Sequence, residues 1–153
     1  MKFSHCIQSP DVQVQSIHSR RHEPEGRRVL SIPAAEFQER LEACRGPGAP
    51  TFALAELNSL LSRLTAVELA DAIAAPPTVT LTPFLANYIA AMIESACEKR
   101  GMPVPGWTRT IGPLSEPVFG SALQSLRLYL LTHSPASFKR RNIFIDSSLG
   151  DQV

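Results

Sequence analysis

The stretch TPFLANYIAAMIESACEKRG, residues 82–101, carries the strongest helix pattern in the chain. A capping threonine, Thr82, stands before a proline, and this order is typical of the first turn of a helix. Lys99 and Arg100 suit the negative end of a helix, and Gly101 accepts the backbone conformation that often follows the last turn. The apolar face between these ends is wider than a surface helix needs, which predicts the central helix of the fold. It comprises Phe84, Leu85, Tyr88, Ile89, Met92, Ile93 and Ala96.

Three further helices are predicted before this one. The segments 31–46 and 52–64 repeat apolar residues every three or four positions, as one face of a helix does. In LTAVEL, Thr65 and Glu68 have the spacing of a capping box, in which each residue caps the backbone of the other. A third helix is therefore expected from about residue 66 to residue 75, where two prolines stop it.

The chain after the central helix begins with a proline-rich connection, 101–117, that cannot continue a helix. Apolar residues then recur at helical spacing over 118–132 and predict a fifth helix. A Ser-Pro turn follows, and NIFID, residues 142–146, is predicted to be extended. We therefore expect an all-α fold of about five helices in one compact bundle, with a short extended C-terminal segment.

The predicted domain organisation has three parts. Residues 1–30 are polar and lack helical periodicity, so we expect a flexible basic arm. Residues 31–145 form the helical domain, and residues 146–153 form a tail.

Composition argues against several classes of protein. The net charge of +1 gives no global field for nucleic acid or an anionic membrane. The cysteines Cys6, Cys44 and Cys97 are odd in number and widely spaced, so we expect no disulfide framework and no metal site. No leader or membrane span is expected, and a cytoplasmic location is predicted. No catalytic or cofactor motif is recognisable, and we expect the protein not to be an enzyme.

The stretch FKRRNIF, residues 138–144, places three cations between apolar residues. Two interpretations stay open. In one, the arginines form polar bonds inside the fold; in the other, the segment grips an acidic partner or phosphate. The candidate partner-binding residues in this segment are Phe138, Lys139, Arg140, Arg141, Asn142 and Phe144.

Three other residues join the candidate partner-binding set. Leu128 and Leu131 lie off the main apolar stripe of the fifth predicted helix, which indicates a second contact. Trp107 stands in the proline-rich connection, where it either anchors a partner or pins the connection to its own fold.

The C-terminal half resembles a group of small bacterial proteins that share one motif. The motif is a Ser-Pro turn, a phenylalanine, three basic residues, an asparagine and an apolar strand, matched here by SPASFKRRNIFID, residues 134–146. The resemblance covers about residues 52–153. Such proteins are linked to toxin-antitoxin operons, which implies an antitoxin or accessory role and no catalytic residues.

The expected function is that of a non-enzymatic binding protein, an antitoxin-like or accessory subunit that docks a partner protein. The resemblance implies a toxin, such as a nucleotidyltransferase-like enzyme, as one such partner. The alternative is a nucleic-acid-binding transcriptional regulator that uses basic patches at 20–28 and 139–141. Salt dependence separates the two, because phosphate binding weakens steeply as salt rises.

Overall fold

The structure is a computed structural model that describes residues 31–46 and 50–146. The arm predicted over 1–30, the tail after residue 146 and the basic patch at 20–28 lie outside the described residues. Within them the α-helices are α1 Ile32–Ala43, α2 Pro50–Arg63, α3 Ala66–Ala72, α4 Pro83–Lys99, α5 Arg127–His133 and α6 Ala136–Lys139. Two 3-10 helices, Gly106–Thr110 and Gln124–Leu126, and two short strands, β1 Val118–Phe119 and β2 Ile143–Phe144, complete the described elements. The prediction of a mainly helical chain is confirmed.

The helix starts form as the sequence predicts. Thr82 accepts a hydrogen bond from the backbone of Leu85 at 3.3 Å, and Pro83 occupies the first turn of α4. At the start of α3, Thr65 and Glu68 cap each other's backbone, so the predicted capping box is present. These local contacts satisfy amide groups that a helix leaves without partners at its first turn.

The apolar core is built around α4. Ile89 and Ile93 have no exposed surface, and their neighbours on α4 belong to the same buried cluster as residues of α1, α2 and α3. α4 packs chiefly on α2 and α6, whereas α1 packs on α2 and α3. The central position predicted for this helix follows from its wide apolar face, which meets neighbours on more than one side.

The helix predicted over 118–132 is wrong in its first half. Residues 118–119 form β1, which pairs in parallel with β2, and α5 begins only at Arg127. The amide of Val118 donates to the carbonyl of Asn142 at 2.8 Å, and the amide of Gly120 donates to Phe144 at 2.8 Å. Pairing with a distant strand therefore takes the backbone groups that a helix would have used.

The connection between the two strands determines where α5 lies. Parallel strands cannot be joined by a tight turn and need a crossover segment. Residues 120–142 form this crossover and carry the second 3-10 helix, α5 and α6.

Candidate functional site

The crossover exposes an unusual concentration of large apolar side chains. Nine large hydrophobic residues are exposed among those described, and five of the nine lie within residues 123–131. Scattered exposed leucines are ordinary on protein surfaces, whereas large contiguous apolar patches are common at interaction sites. We name these five residues the α5 surface: Leu123, Leu126, Leu128, Tyr129 and Leu131.

The geometry of α5 separates its buried residue from its exposed ones. Leu130 is 3% exposed and is the only residue of α5 that is buried, whereas Leu128 is 74% exposed. At 100° per residue, Leu128 and Leu131 lie about 60° apart, and Leu128 lies about 160° from Leu130. The two leucines thus occupy the solvent face of a helix that is anchored through its opposite face.

The C-terminal end of α5 is held by hydrogen bonds. The hydroxyl oxygen of Ser134 lies 2.6 Å from the carbonyl oxygen of Leu130 and 2.8 Å from that of Ile145, so the hydroxyl can donate to either. The ammonium of Lys139 donates to the carbonyl of Thr132 at 3.0 Å. These bonds tie the helix end to α6 and to the residue after β2, so the α5 surface is presented on a fixed support.

Aromatic contacts hold the N-terminal end. Phe119 stacks on Phe144, with ring centroids 5.1 Å apart. The guanidinium of Arg127 lies over the Phe119 ring, 5.1 Å from its centroid. The predicted site residue Phe144 is thereby linked to α5 through the adjacent strand.

Arg141 is buried and takes the internal role that the sequence left open. Its guanidinium donates to the carboxylate of Glu94 at 2.6 Å and to the side chain of Asn87 at 3.1 Å, both on α4. It also donates to the carbonyls of Thr108 at 2.8 Å and Ile111 at 3.3 Å. A side chain that is 5% exposed and bonded in this way fastens three parts of the fold to one another and has little surface for a partner.

Arg140 lies at the surface beside Glu94 and a second acid of α4, Glu98. It donates to Glu98 at 2.7 Å and lies 3.5 Å from a carboxylate oxygen of Glu94. The hydrogen bond to Glu98 is the main reason that the pKa of Arg140 is raised above its usual value. Its charge is thus largely balanced within the chain.

The remaining predicted residues hold the fold together. Phe138 is buried with its ring edge-on to Tyr88, and the side-chain amide of Asn142 donates to the carbonyl of Leu114 at 2.7 Å. Asn142 also has a positive φ of 60°, a conformation that asparagine accepts more readily than most residues. The indole of half-buried Trp107 donates to the carbonyl of Ile73 at 2.9 Å and so pins the proline-rich connection to the end of α3.

The structure therefore divides the predicted partner-binding set. Leu128 and Leu131 belong to the α5 surface, and Lys139 and Phe144 support its two ends. Sequence reasoning missed Leu123 and Leu126 because, with Phe119 and Leu130, they make up the main apolar stripe of the helix predicted over 118–132. The available signal was Gly120, because a glycine inside a helix weakens it.

Other regions of the described chain have fewer features that are typical of a binding or catalytic site. An open depression of about 290 Å³ between α3 and the proline-rich connection is lined by eight residues, none of them titratable. Burial raises the pKa of the Cys44 and Cys97 thiols, which makes their reactive thiolates scarce. Over the described ranges, no three His, Cys, Asp or Glu side chains are grouped so that they could hold a metal ion. None of the helices described there combines the length and apolarity that crossing a bilayer requires.

Comparisons with known proteins add no relative. The chain matches no protein-family model, no curated protein and no solved structure. The α5 surface is therefore the candidate functional site of the described residues.

Proposed function

We propose that this chain is a non-enzymatic binding protein whose α5 surface docks a partner protein, in an antitoxin-like or accessory role. The observation that carries the proposal is the exposure of five large apolar side chains within nine residues, 123–131. Covering such side chains is favourable by about 25 cal/mol per Å² of apolar surface removed from water. A partner bound to the α5 surface would remove these side chains from water.

The support beneath the α5 surface favours binding. Leucine side chains on a loose segment would lose conformational freedom on association, and this loss would weaken the complex. Here Leu130 is buried, and Ser134 and Lys139 fix the end of the helix. Tyr129 and Arg127 add residue types that often dominate binding energy at interfaces.

A nucleic-acid regulator has less support. Of the cations at 139–141, Arg141 is buried and Arg140 is paired with acids of α4. A run so neutralised would displace few counterions from a phosphate backbone.

The test compares two substitutions at equivalent places. Leu128 and Val67 are each the second residue of a seven-residue helix, and they are 74% and 80% exposed. The full chain is tagged, co-expressed with the products of its neighbouring genes and recovered with whatever binds it. Leu128→Asp should remove the recovered partner, whereas Val67→Asp should leave recovery unchanged. Equal recovery with both variants would reject the α5 surface as the docking site.

An antitoxin-like role also requires that the chain neutralises a toxic partner. A recovered partner that arrests growth when expressed alone should be neutralised by the natural chain and by Val67→Asp. Leu128→Asp should fail to restore growth. An accessory role without toxin neutralisation is indicated if the partner is recovered but is harmless alone.

A further inference from the structure

We infer that the partner of the α5 surface is an amphipathic protein segment whose apolar side chains are flanked by carboxylates. This inference rests on the proposed function and specifies the chemistry of the partner. It comes from the charges around the α5 surface, which are of one sign along a long stretch of chain.

The crossover, residues 120–142, contains no acidic residue, and the nearest acids along the chain are Glu116 and Asp146. Between Pro117 and Ile145 the sequence has four cations, at positions 127, 139, 140 and 141, and no aspartate or glutamate. Arg141 is buried, and Arg140 is paired with Glu98. The cations that remain for a partner are therefore Arg127 and Lys139, one at each end of α5.

Both cations are placed for a carboxylate. The Arg127 guanidinium lies over the Phe119 ring, and a guanidinium that contacts a ring through its face keeps its edge N–H groups available as donors. Lys139 gives one donor to the carbonyl of Thr132, and an ammonium has three donors. Leu128 and Leu131 lie on the helix between these two charges, so an apolar strip with acidic margins is complementary to the surface.

A second copy of this chain is a poorer occupant. An isologous dimer through the α5 surface would bring Arg127 and Lys139 of both copies into one interface, and like charges held together are unfavourable. Any compensating acid would have to come from outside residues 117–145.

The experiment uses two helical peptides that share one leucine stripe and differ only in their flanking residues, all glutamate in one and all lysine in the other. Binding of each labelled peptide to the full chain is followed by fluorescence anisotropy at rising salt. We expect the glutamate peptide to bind at least about tenfold more tightly at low salt, with a difference that narrows as salt screens the charges.

Charge-reversal variants test which residues cause the preference. Arg127→Glu should remove most of it, and Lys139→Glu should reduce it further; Arg127→Glu also places an acid in the first turn of α5, where helices favour one. Arg45→Glu is the matched control, because Arg45 is an exposed arginine near the end of α1. It should leave both affinities unchanged.

Several results would overturn the inference. Equal binding of the two peptides, or binding of neither, contradicts it. Preferential binding to phosphatidylglycerol vesicles would make a lipid surface the better occupant, and a dimer that Leu128→Asp dissolves would favour a second copy. The proposed function fails separately, when Leu128→Asp leaves recovery of the native partner intact. If that variant loses the partner while peptide charge has no effect, the docking surface stands and its acidic complement does not.

Discussion

The helices α1 to α4 and the segment from residue 105 to residue 146 are stabilised in different ways. In the first region the leucines and isoleucines of the helices, Ile32 excepted, point inward, and residues such as Leu57, Leu61 and Ile89 have almost no exposed surface. In the second region side chains bonded to distant backbone hold the chain in place, as with Arg141 and Ser134. The same region turns most of its leucines outward.

This difference shows how a chain can keep an apolar surface and still fold. Polar bonds that join Arg141 to Glu94 and Ser134 to Ile145 fix the crossover without using Leu128 or Leu131. Those leucines are then available for contact with a partner protein. Substitutions in each region test this division of roles.

Removing the buried arginine should destabilise the fold more than any other change considered. Arg141→Ala leaves the Glu94 carboxylate buried without its closest partner, and breaking such a buried pair costs about 3–5 kcal/mol. Urea unfolding followed by circular dichroism measures this loss. The neighbouring Arg140→Ala is the control, because an exposed ion pair is worth at most about 1 kcal/mol. Equal losses in the two variants would contradict the structural role of Arg141.

Leucine truncations should separate the two regions. Leu57→Ala opens a cavity in the core beside α4 and should cost about 2–5 kcal/mol of unfolding free energy. Leu128→Ala removes a side chain that is 74% exposed and should change stability by no more than about 0.5 kcal/mol. Thermal and urea unfolding of both variants give the comparison. A large loss with Leu128→Ala would mean that the leucine packs within the fold.

The helical region could be predicted from sequence because its signals are local. Thr65 and Glu68 are three residues apart, and so are Thr82 and the amide that it caps at Leu85. The apolar residues of these helices also repeat at helical spacing, and the repeat coincides with the buried face of each helix. The starts and buried faces could thus be inferred within single windows of sequence, whereas α3 ends at Ala72, before the residue 75 that the two prolines predict.

The crossover could not be predicted in the same way because its determinants are far apart along the chain. Arg141 lies 47 residues from Glu94, and the amides of Val118 and Gly120 donate to the carbonyls of residues 142 and 144. The leucine spacing over 118–132 matches that of a helix. The spacing contains no information about the hydrogen bond between the backbone of Val118 and that of Asn142. Leu128 and Leu131 were identified because they departed from the stripe. Leu123 and Leu126 were not, because they conformed to it.

The cap of α3 should contribute a moderate and purely local amount. Thr65→Ala removes the side chain that accepts from the backbone of Glu68, and loss of such a cap costs about 0.5–2 kcal/mol. Thr65→Ser keeps a hydroxyl and should restore most of the loss. Hydrogen exchange should localise the change to α3 and leave α5 unaffected. Faster exchange in α5 would show that the two regions are coupled.

The smallest expected effect is the pH dependence of the same cap. Hydrogen bonds from the backbone and then the side chain of Thr65 hold the pKa of the Glu68 carboxyl below its usual range. Because the folded pKa is the lower one, this contribution is complete above the unfolded pKa and is lost as pH falls through the folded pKa. Glu68→Gln keeps the geometry of the box without the charge, so its stability deficit should shrink as pH is lowered. In the Thr65→Ala background the pH dependence should be smaller but still present, because the hydroxyl bond is gone while the backbone amide of residue 65 can still donate to Glu68. A pH dependence of undiminished size there would show that the Thr65 hydroxyl contributes nothing to it, and one that also survives disruption of the backbone bond from residue 65 would place its origin outside the capping box.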